Sequence, residues 1–416
     1  GLAFMGLTLE CAQCHAHKSD PISIEDYYRL RAVFANMEFP EKKKQLSHVF
    51  LENDAETPPS FVMKKGDFRS PGELVDPAFI RVVNPMGMTV PQSSDNSKTS
   101  GRRMALSDWL THPEHPLTAR VIVNRLWQHH FGSPIVGTPN DFGILGDRPT
   151  HPGLLDWLAG ELIAGDWSLK DLHRLMLQSA TYRQASRSTG DSWDRALEKD
   201  PENRLYSRMN RKRLEGEAIR DTMLFASGQL NRKRGGPGVH PPLPHEVAIT
   251  LLEKQWEVSE DESEHTRRSI YLFTRRNLRF PMFDVFDRPD ANASCGRRNV
   301  STTAPQSLTL LNSEFSMKAS RHLAGEIINK ANRGDYKEWI RSAYEKLFAR
   351  EETDSERNAG LSFLEGQAAS LEAEGRQPAS LATPEGLYGN FDSYKGAALV
   401  DYCLALFNLN EMIYQD

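Results

Sequence analysis

The chain has 416 residues, 39% hydrophobic and 26% charged, a balance that excludes disordered, collagen-like and coiled-coil classes and suffices for two or three folded domains. Its 51 Lys and Arg against 56 Asp and Glu leave a formal charge of -5, so no basic excess points to a nucleic-acid partner. The longest apolar runs, around Val121 to Val123 and Leu404 to Phe407, fall far short of the ~20 residues a membrane helix needs, so no span is expected.

The chain opens on Gly1 and an apolar stretch to Leu9 with no basic segment before it, which reads as a piece of a longer protein whose targeting segment lies upstream. Ser23-Ile24-Glu25-Asp26 is a capping pattern and opens a helix carrying Tyr27, Leu30, Val33 and Phe34. From residue 51 to 100 Pro, Gly, Ser, Asp and Asn dominate, and this stretch is expected to be an irregular linker ending at Gly101. Helices are expected at Arg102 to Leu110 and Leu117 to Phe131, the second stopped by Gly132, then at Leu154 to Ile163 and after a second capping pattern at Ser168. Arg213 to Leu230 reads as another helix. Gly235 to Gly238 and Pro241 to Pro244 then force a loop, because proline removes amide donors and fixes φ.

Ser269 to Phe273 is short and β-favouring and is expected to be a strand. Thr303-Ala304-Pro305-Gln306 opens a long helix, and Tyr336 to Phe348, Arg357 to Ala373 and Ala397 to Phe407 complete a helical C-terminal third. The expected architecture is mainly α: a short CxxCH-bearing helical segment (1–50), a linker (51–100), and a bundle-like helical domain (101–416) with a small extended element near Tyr271.

Two of the four cysteines fall within four positions, in Cys11-Ala12-Gln13-Cys14-His15. This is the pattern of covalent haem c attachment: the two thiols add across the porphyrin vinyl groups and His15 supplies an axial imidazole to the iron. A zinc clip on Cys11, Cys14, His15 and His17 is the alternative, although structural zinc sites usually draw their second ligand pair from a distant segment. A redox dithiol is a third, without the βαβ context it usually keeps. His17 follows His15 too closely to reach the opposite face of the same haem. Candidates for a distal ligand are His48, Met86 and Met88, the methionines standing in a Pro-Met-Gly-Met loop; Met37 and Met63 are further possibilities.

Two stretches are unusually polar. Arg120 to Phe131 carries Arg120, Asn124, Arg125, Trp127, His129 and His130 on an otherwise apolar helix, and Phe286 to Asn299 is dense in Asp and Arg. The second could bind an anionic or saccharide ligand, with Arg297 and Arg298 forking onto sulfate or carboxylate and Asp287 or Asp290 as acid or base. The same residues could equally brace loops through ion pairs. Cys295 is also a candidate nucleophile with His129 or His130, without a family-specific signature.

Cys11 to Ser23 followed by Asp26-Tyr27-Tyr28 resembles the end of the planctomycete cytochrome-c-like domain of unknown function. Leu106 to Phe142, with Asn124-Arg125-Leu126-Trp127-Gln128-His129-His130-Phe131-Gly132 and Thr138-Pro139-Asn140-Asp141-Phe142-Gly143, resembles the planctomycete-specific domain that follows it. The likeness continues through Gly165 to Lys170, Ser179 to Gln184, Arg211 to Asp221, Ala291 to Asn299, Ala304-Pro305-Gln306 and Leu409-Asn410-Glu411. Ala16 and Lys18-Ser19-Asp20 depart from the family's usual acidic residue and Lys-Phe/Tyr-Asp, and neither change removes a haem-attaching atom. The resemblance implies an exported, extracytoplasmic multidomain protein with no established reaction. The expectation is a haem-bearing electron carrier with a redox partner. The rival expectations are a protein that binds or hydrolyses saccharide or sulfated polymer, and a zinc-clipped interaction scaffold.

Overall fold

The computed structural model describes residues 1–37, 52, 56–92, 99–252, 255–331, 334–389 and 391–415. They form two compact units, Gly1 to Asn210 and Arg211 to Asp416, both mainly α-helical. The division falls within a stretch that composition alone does not mark, 110 residues beyond the expected boundary at residue 100.

The first unit contains α1 (Leu2–Met5), α2 (Ile24–Ala32), β1 (Ser60–Met63), β2 (Pro71–Val75), α3 (Arg102–Leu110), α4 (Thr118–Phe131), α5 (Pro152–Ala164), α6 (Leu169–Gln178) and α7 (Asp191–Lys199). Its start signals act as the sequence implies. The Ser23 hydroxyl accepts from the Asp26 amide while Asp26 takes the Ser23 amide, Ser168 caps α6 through the Asp171 amide, and Gly132 ends α4 in the left-handed region at φ 79°.

Two apolar clusters organise this unit. Leu9, Ala12, Ile22, Phe79, Ile80, Val83 and Trp109 form one, in which Phe79 stacks on Trp109 at 4.7 Å; α4, α5 and α6 close around Val123, Trp127, Phe131, Leu158 and Met176 in the other. The expected linker is therefore only partly irregular. Residues 60–75 are an antiparallel hairpin, and Phe79, Ile80 and Val83 are core. The hairpin escaped notice because its strands lack alternation: β1 is half-buried throughout, and β2 is mostly exposed.

The second unit contains β3 (Lys212–Arg213), α8 (Gly216–Ala226), α9 (His245–Ala248), α10 (Pro281–Val285), α11 (Ala304–Asn312), α12 (Glu314–Lys330), α13 (Tyr336–Phe348), α14 (Asp354–Ala373), α15 (Ser393–Phe407), α16 (Asn410–Ile413) and β4 (Tyr414–Gln415), with β3 and β4 paired antiparallel. Helices α12, α13, α14 and α15 pack through Leu323, Ile327, Trp339, Ile340, Leu364, Leu399 and Cys403. At Gly325 in α12 a Cβ would fall on the Glu385 carbonyl oxygen, so only glycine allows that approach.

Three expectations are corrected here. The helix expected over Arg213 to Leu230 starts only at Gly216, because Lys212 and Arg213 pair with the C-terminal strand. The long helix opened by the Thr303/Gln306 capping box breaks at Ser313, whose hydroxyl caps a new helix through the Ser316 amide. Ser269 to Tyr271 is a 3₁₀ turn rather than a strand. Among the described residues, Val239 bridges this segment, donating to the Tyr271 carbonyl and accepting from the Phe273 amide, and Asp221 takes the Ser269 amide and hydroxyl at 2.7 Å. Short-range β propensity yields here to side chains that α8 supplies.

Candidate functional site

Cys11 lies in a 3₁₀ turn, Leu9–Gln13, which Cys14 terminates. With three residues per turn, positions three apart share a side of this turn. Leu9 and Ala12 share the buried side and pack with Ile80 and Trp109, whereas Cys11 and Cys14 share the open side as free, exposed thiols. The inner face is thus an anchor and the outer face a pair of accessible nucleophiles.

The turn is fixed from behind. The buried Tyr28 hydroxyl donates to the Gln13 carbonyl at 2.9 Å, and burial followed by the neighbouring Tyr27 pushes this phenol up, so it remains a donor. Gly66, in the turn of the β1–β2 hairpin at φ 76°, lies against Cys14; a Cβ there would stand 2.6 Å from Sγ. His15 is exposed, and its Nδ1 is 2.7 Å from the Ala16 carbonyl. A carbonyl can only accept, so Nδ1 holds the proton and the Nε2 lone pair is left for a metal.

His17 is different. Its Nδ1 accepts from the Asp20 amide at 2.9 Å, so Nε2 carries the proton and donates to Thr8 Oγ1 at 3.1 Å. Both ring nitrogens are spent on shaping the loop. Asp20 in turn accepts from the Ile144 amide at 2.7 Å, and the Phe142 amide donates to the Gly6 carbonyl at 2.7 Å. Arg125 donates to the carbonyls of Leu2 and Ala3, and Asn124 exchanges two hydrogen bonds with the Val136 backbone at 2.8 and 3.1 Å. The polar residues of α4 at Asn124 and Arg125 therefore act as braces, and what they brace includes the segment leading into the cysteines.

Met86 and Met88 pack half-buried against the same apolar cluster as Leu9 and Ala12. Asn84 staples their loop, bonding the Met88 amide and carbonyl and accepting from Trp109 Nε1 at 3.1 Å. His48 lies outside the described residues. Among the described residues, no three His, Cys, Asp or Glu side chains converge as a metal-ligating set.

The Phe286 to Asn299 loop borders an open cavity of about 600 Å³ whose lining includes Arg279, Asp287, Arg288, Asp290, Cys295 and Arg297. Its candidate residues have separate roles. Asp287, at φ 59°, takes Arg213 at 2.8 Å, the Ser301 amide at 2.8 Å and the Ser301 hydroxyl. Burial alone would raise this carboxyl, but the Ser301 amide, Arg213 and the Ser301 hydroxyl outweigh it and hold it below the usual range. Asp287 is a fixed carboxylate and a poor proton donor. Arg298 is bound to Glu217 at 2.9 Å and Glu215 at 3.2 Å, and Asp290 accepts from the Asn292 amide and side chain. Arg297 is exposed and makes no ion pair among the described residues. Cys295 is exposed and its thiol donates to the Arg297 carbonyl at 3.1 Å, whereas His129 and His130 belong to the first compact unit.

Sequence reasoning did not pair His130 with His173, whose ring nitrogens Nε2 and Nδ1 lie 2.7 Å apart, nor single out the buried His115. The first depends on α4 and α6 packing; the second had a local signal, since His115 stands three residues before Thr118 at a helix start.

No curated protein and no solved structure matches this chain. Residues 1–39 match the family model PSCyt2, a protein of unknown function (DUF1549), and residues 102–364 match PSD1, a protein of unknown function (DUF1553); both are planctomycete-type domains. The second match covers more than half of the chain, and the protein belongs to the PSD1 (DUF1553) family; the CxxCH turn lies in the residues that match the PSCyt2 model.

Proposed function

We propose that Cys11 and Cys14 hold a haem c covalently, with His15 as axial ligand, and that the protein transfers electrons to a redox partner outside the cytoplasm. The carrying observation is the sidedness of the turn: both thiols open, Ala12 between them buried, and His15 in the tautomer that leaves Nε2 available. Exposed thiols suit attachment, and a rigid backing suits an axial imidazole that must not drift. The bound haem would supply a one-electron couple. This chain's own contribution is to hold the two sulfurs together through Leu9 and Ala12 and to orient His15 through the Ala16 carbonyl. The zinc alternative loses His17, whose nitrogens are both engaged.

The test is a pyridine haemochrome spectrum of protein expressed with periplasmic haem attachment, beside Cys11→Ala/Cys14→Ala. Haem that survives denaturation and disappears in the variant is expected; extractable haem, or none, refutes the proposal.

A second reading is favoured by one observation, the open cavity beside Arg297. Its carboxylates have partners, while Arg297 presents a free guanidinium fork suited to a sulfate or carboxylate on a saccharide. Binding of sulfated against neutral polysaccharide to wild type and Arg297→Ala tests it. Equal retention of both polymers, or no loss in the variant, removes this reading.

A further inference from the structure

The imidazoles of His130, on the last turn of α4, and His173, in α6, meet edge to face with centroids 5.0 Å apart. His130 Nε2 and His173 Nδ1 are 2.7 Å apart, which is a hydrogen bond: one nitrogen donates and the other accepts. Both side chains are half-buried, and the Tyr182 ring stands edge-on to His130 at 5.9 Å. Two helices packed around Trp127, Phe131, Leu172 and Met176 thus hold two imidazole nitrogens toward one point.

We propose that His130 and His173 form a binding site for a first-row divalent cation of the copper, nickel and zinc class, separate from the Cys11 to His15 turn. Imidazole nitrogen selects these ions over calcium and magnesium, which prefer oxygen. Metal–nitrogen bonds of about 2.0–2.1 Å at an open angle place the two nitrogens about 3 Å apart, so the rings need to separate by only a few tenths of an ångström. The donor ring moves its proton to its other nitrogen through solvent, both rings remain neutral, and no net proton is released. Half-exposure leaves the remaining coordination positions to water.

The probe is Cu²⁺, which binds nitrogen sites most strongly of this series. It is titrated into the metal-free full chain with Cys11 and Cys14 alkylated, and followed by calorimetry and electron paramagnetic resonance. One equivalent coupled to two nitrogens is expected, with dissociation constants weakened at least about 100-fold in His130→Gln and in His173→Gln, since losing even a ligand's supporting partner costs roughly 10- to 100-fold. Unchanged affinity in both variants overturns the proposal, as does absence of a two-nitrogen signal in wild type. Paramagnetic broadening of wild type reads the same site without any substitution. The His130 and His173 ring protons must vanish at the first equivalent, ahead of the other eleven histidines; broadening that begins elsewhere also refutes the site.

Discussion

Acidification should loosen the first unit through His115. This side chain is 4% exposed and edge-on to Trp109 at 4.7 Å. Its Nδ1 accepts from the Thr118 amide at 3.2 Å and the Leu117 amide at 3.3 Å, and lies 3.0 Å from Thr118 Oγ1, so it caps a helix start where the N-cap residue, Leu117, has no side-chain acceptor. A proton on Nδ1 would face those amides at the positive end of α4 and would bury a charge. Burial, then the nearby His112, pushes the group down from 6.5 to about 4.

The folded form therefore binds this proton less readily than the unfolded chain. Its contribution is complete above pH 6.5 and is lost as pH falls toward 4, in total about 3 kcal/mol at about 1.4 kcal/mol per pH unit. Asn in place of His115 keeps a capping oxygen and cannot titrate. Opening free energies from hydrogen exchange of α4 amides at pH 7.5 and 4.5 give the comparison. Wild type should lose about 2.5 kcal/mol more than His115→Asn across that interval. Parallel losses in the two proteins, or a His115 ring titrating near 6.5 by nuclear magnetic resonance, would refute the reasoning.

Gly325→Ala should destabilise the second unit by about 1–3 kcal/mol in chemical denaturation, although alanine favours a helix by about 1 kcal/mol, because its methyl meets the Glu385 carbonyl; a neutral or stabilised variant would contradict the packing. Asp287→Asn leaves Arg213, 3% exposed, without its carboxylate and should cost about 3 kcal/mol of thermal stability. If that variant melts with wild type, Asp287 is not the brace described above. Tyr28→Phe removes the bond to the Gln13 carbonyl and should lower stability by about 1 kcal/mol while leaving Cys11 and Cys14 reactive toward a thiol reagent; protected thiols would contradict their placement on the open side.

Local chemistry was legible wherever a few consecutive residues decide the outcome. Ser23 with Asp26, Thr303 with Gln306, and Gly132 each start or stop a helix by satisfying backbone groups at short range, and each does so in the fold. The failures have the opposite character. Ser269 to Tyr271 has strand propensity, but among the described residues it meets an isolated bridge at Val239 rather than a strand, and Asp221 takes the Ser269 amide. The 60–75 hairpin has a partner but no alternation to announce it.

The candidate sites divide along the same line. By itself the sequence determined that Cys11 and Cys14 share one side of a short turn, and it determined the mainly helical class, because three-residue spacing and helical periodicity are properties of a local backbone. Only the tertiary structure decided that Ala12 faces inward and the thiols outward, that His17 and Asp287 are consumed by hydrogen bonds, and that His130 meets His173. Those outcomes depend on which distant groups pack close enough to compete with water for each polar atom, and a linear spacing carries no record of that competition.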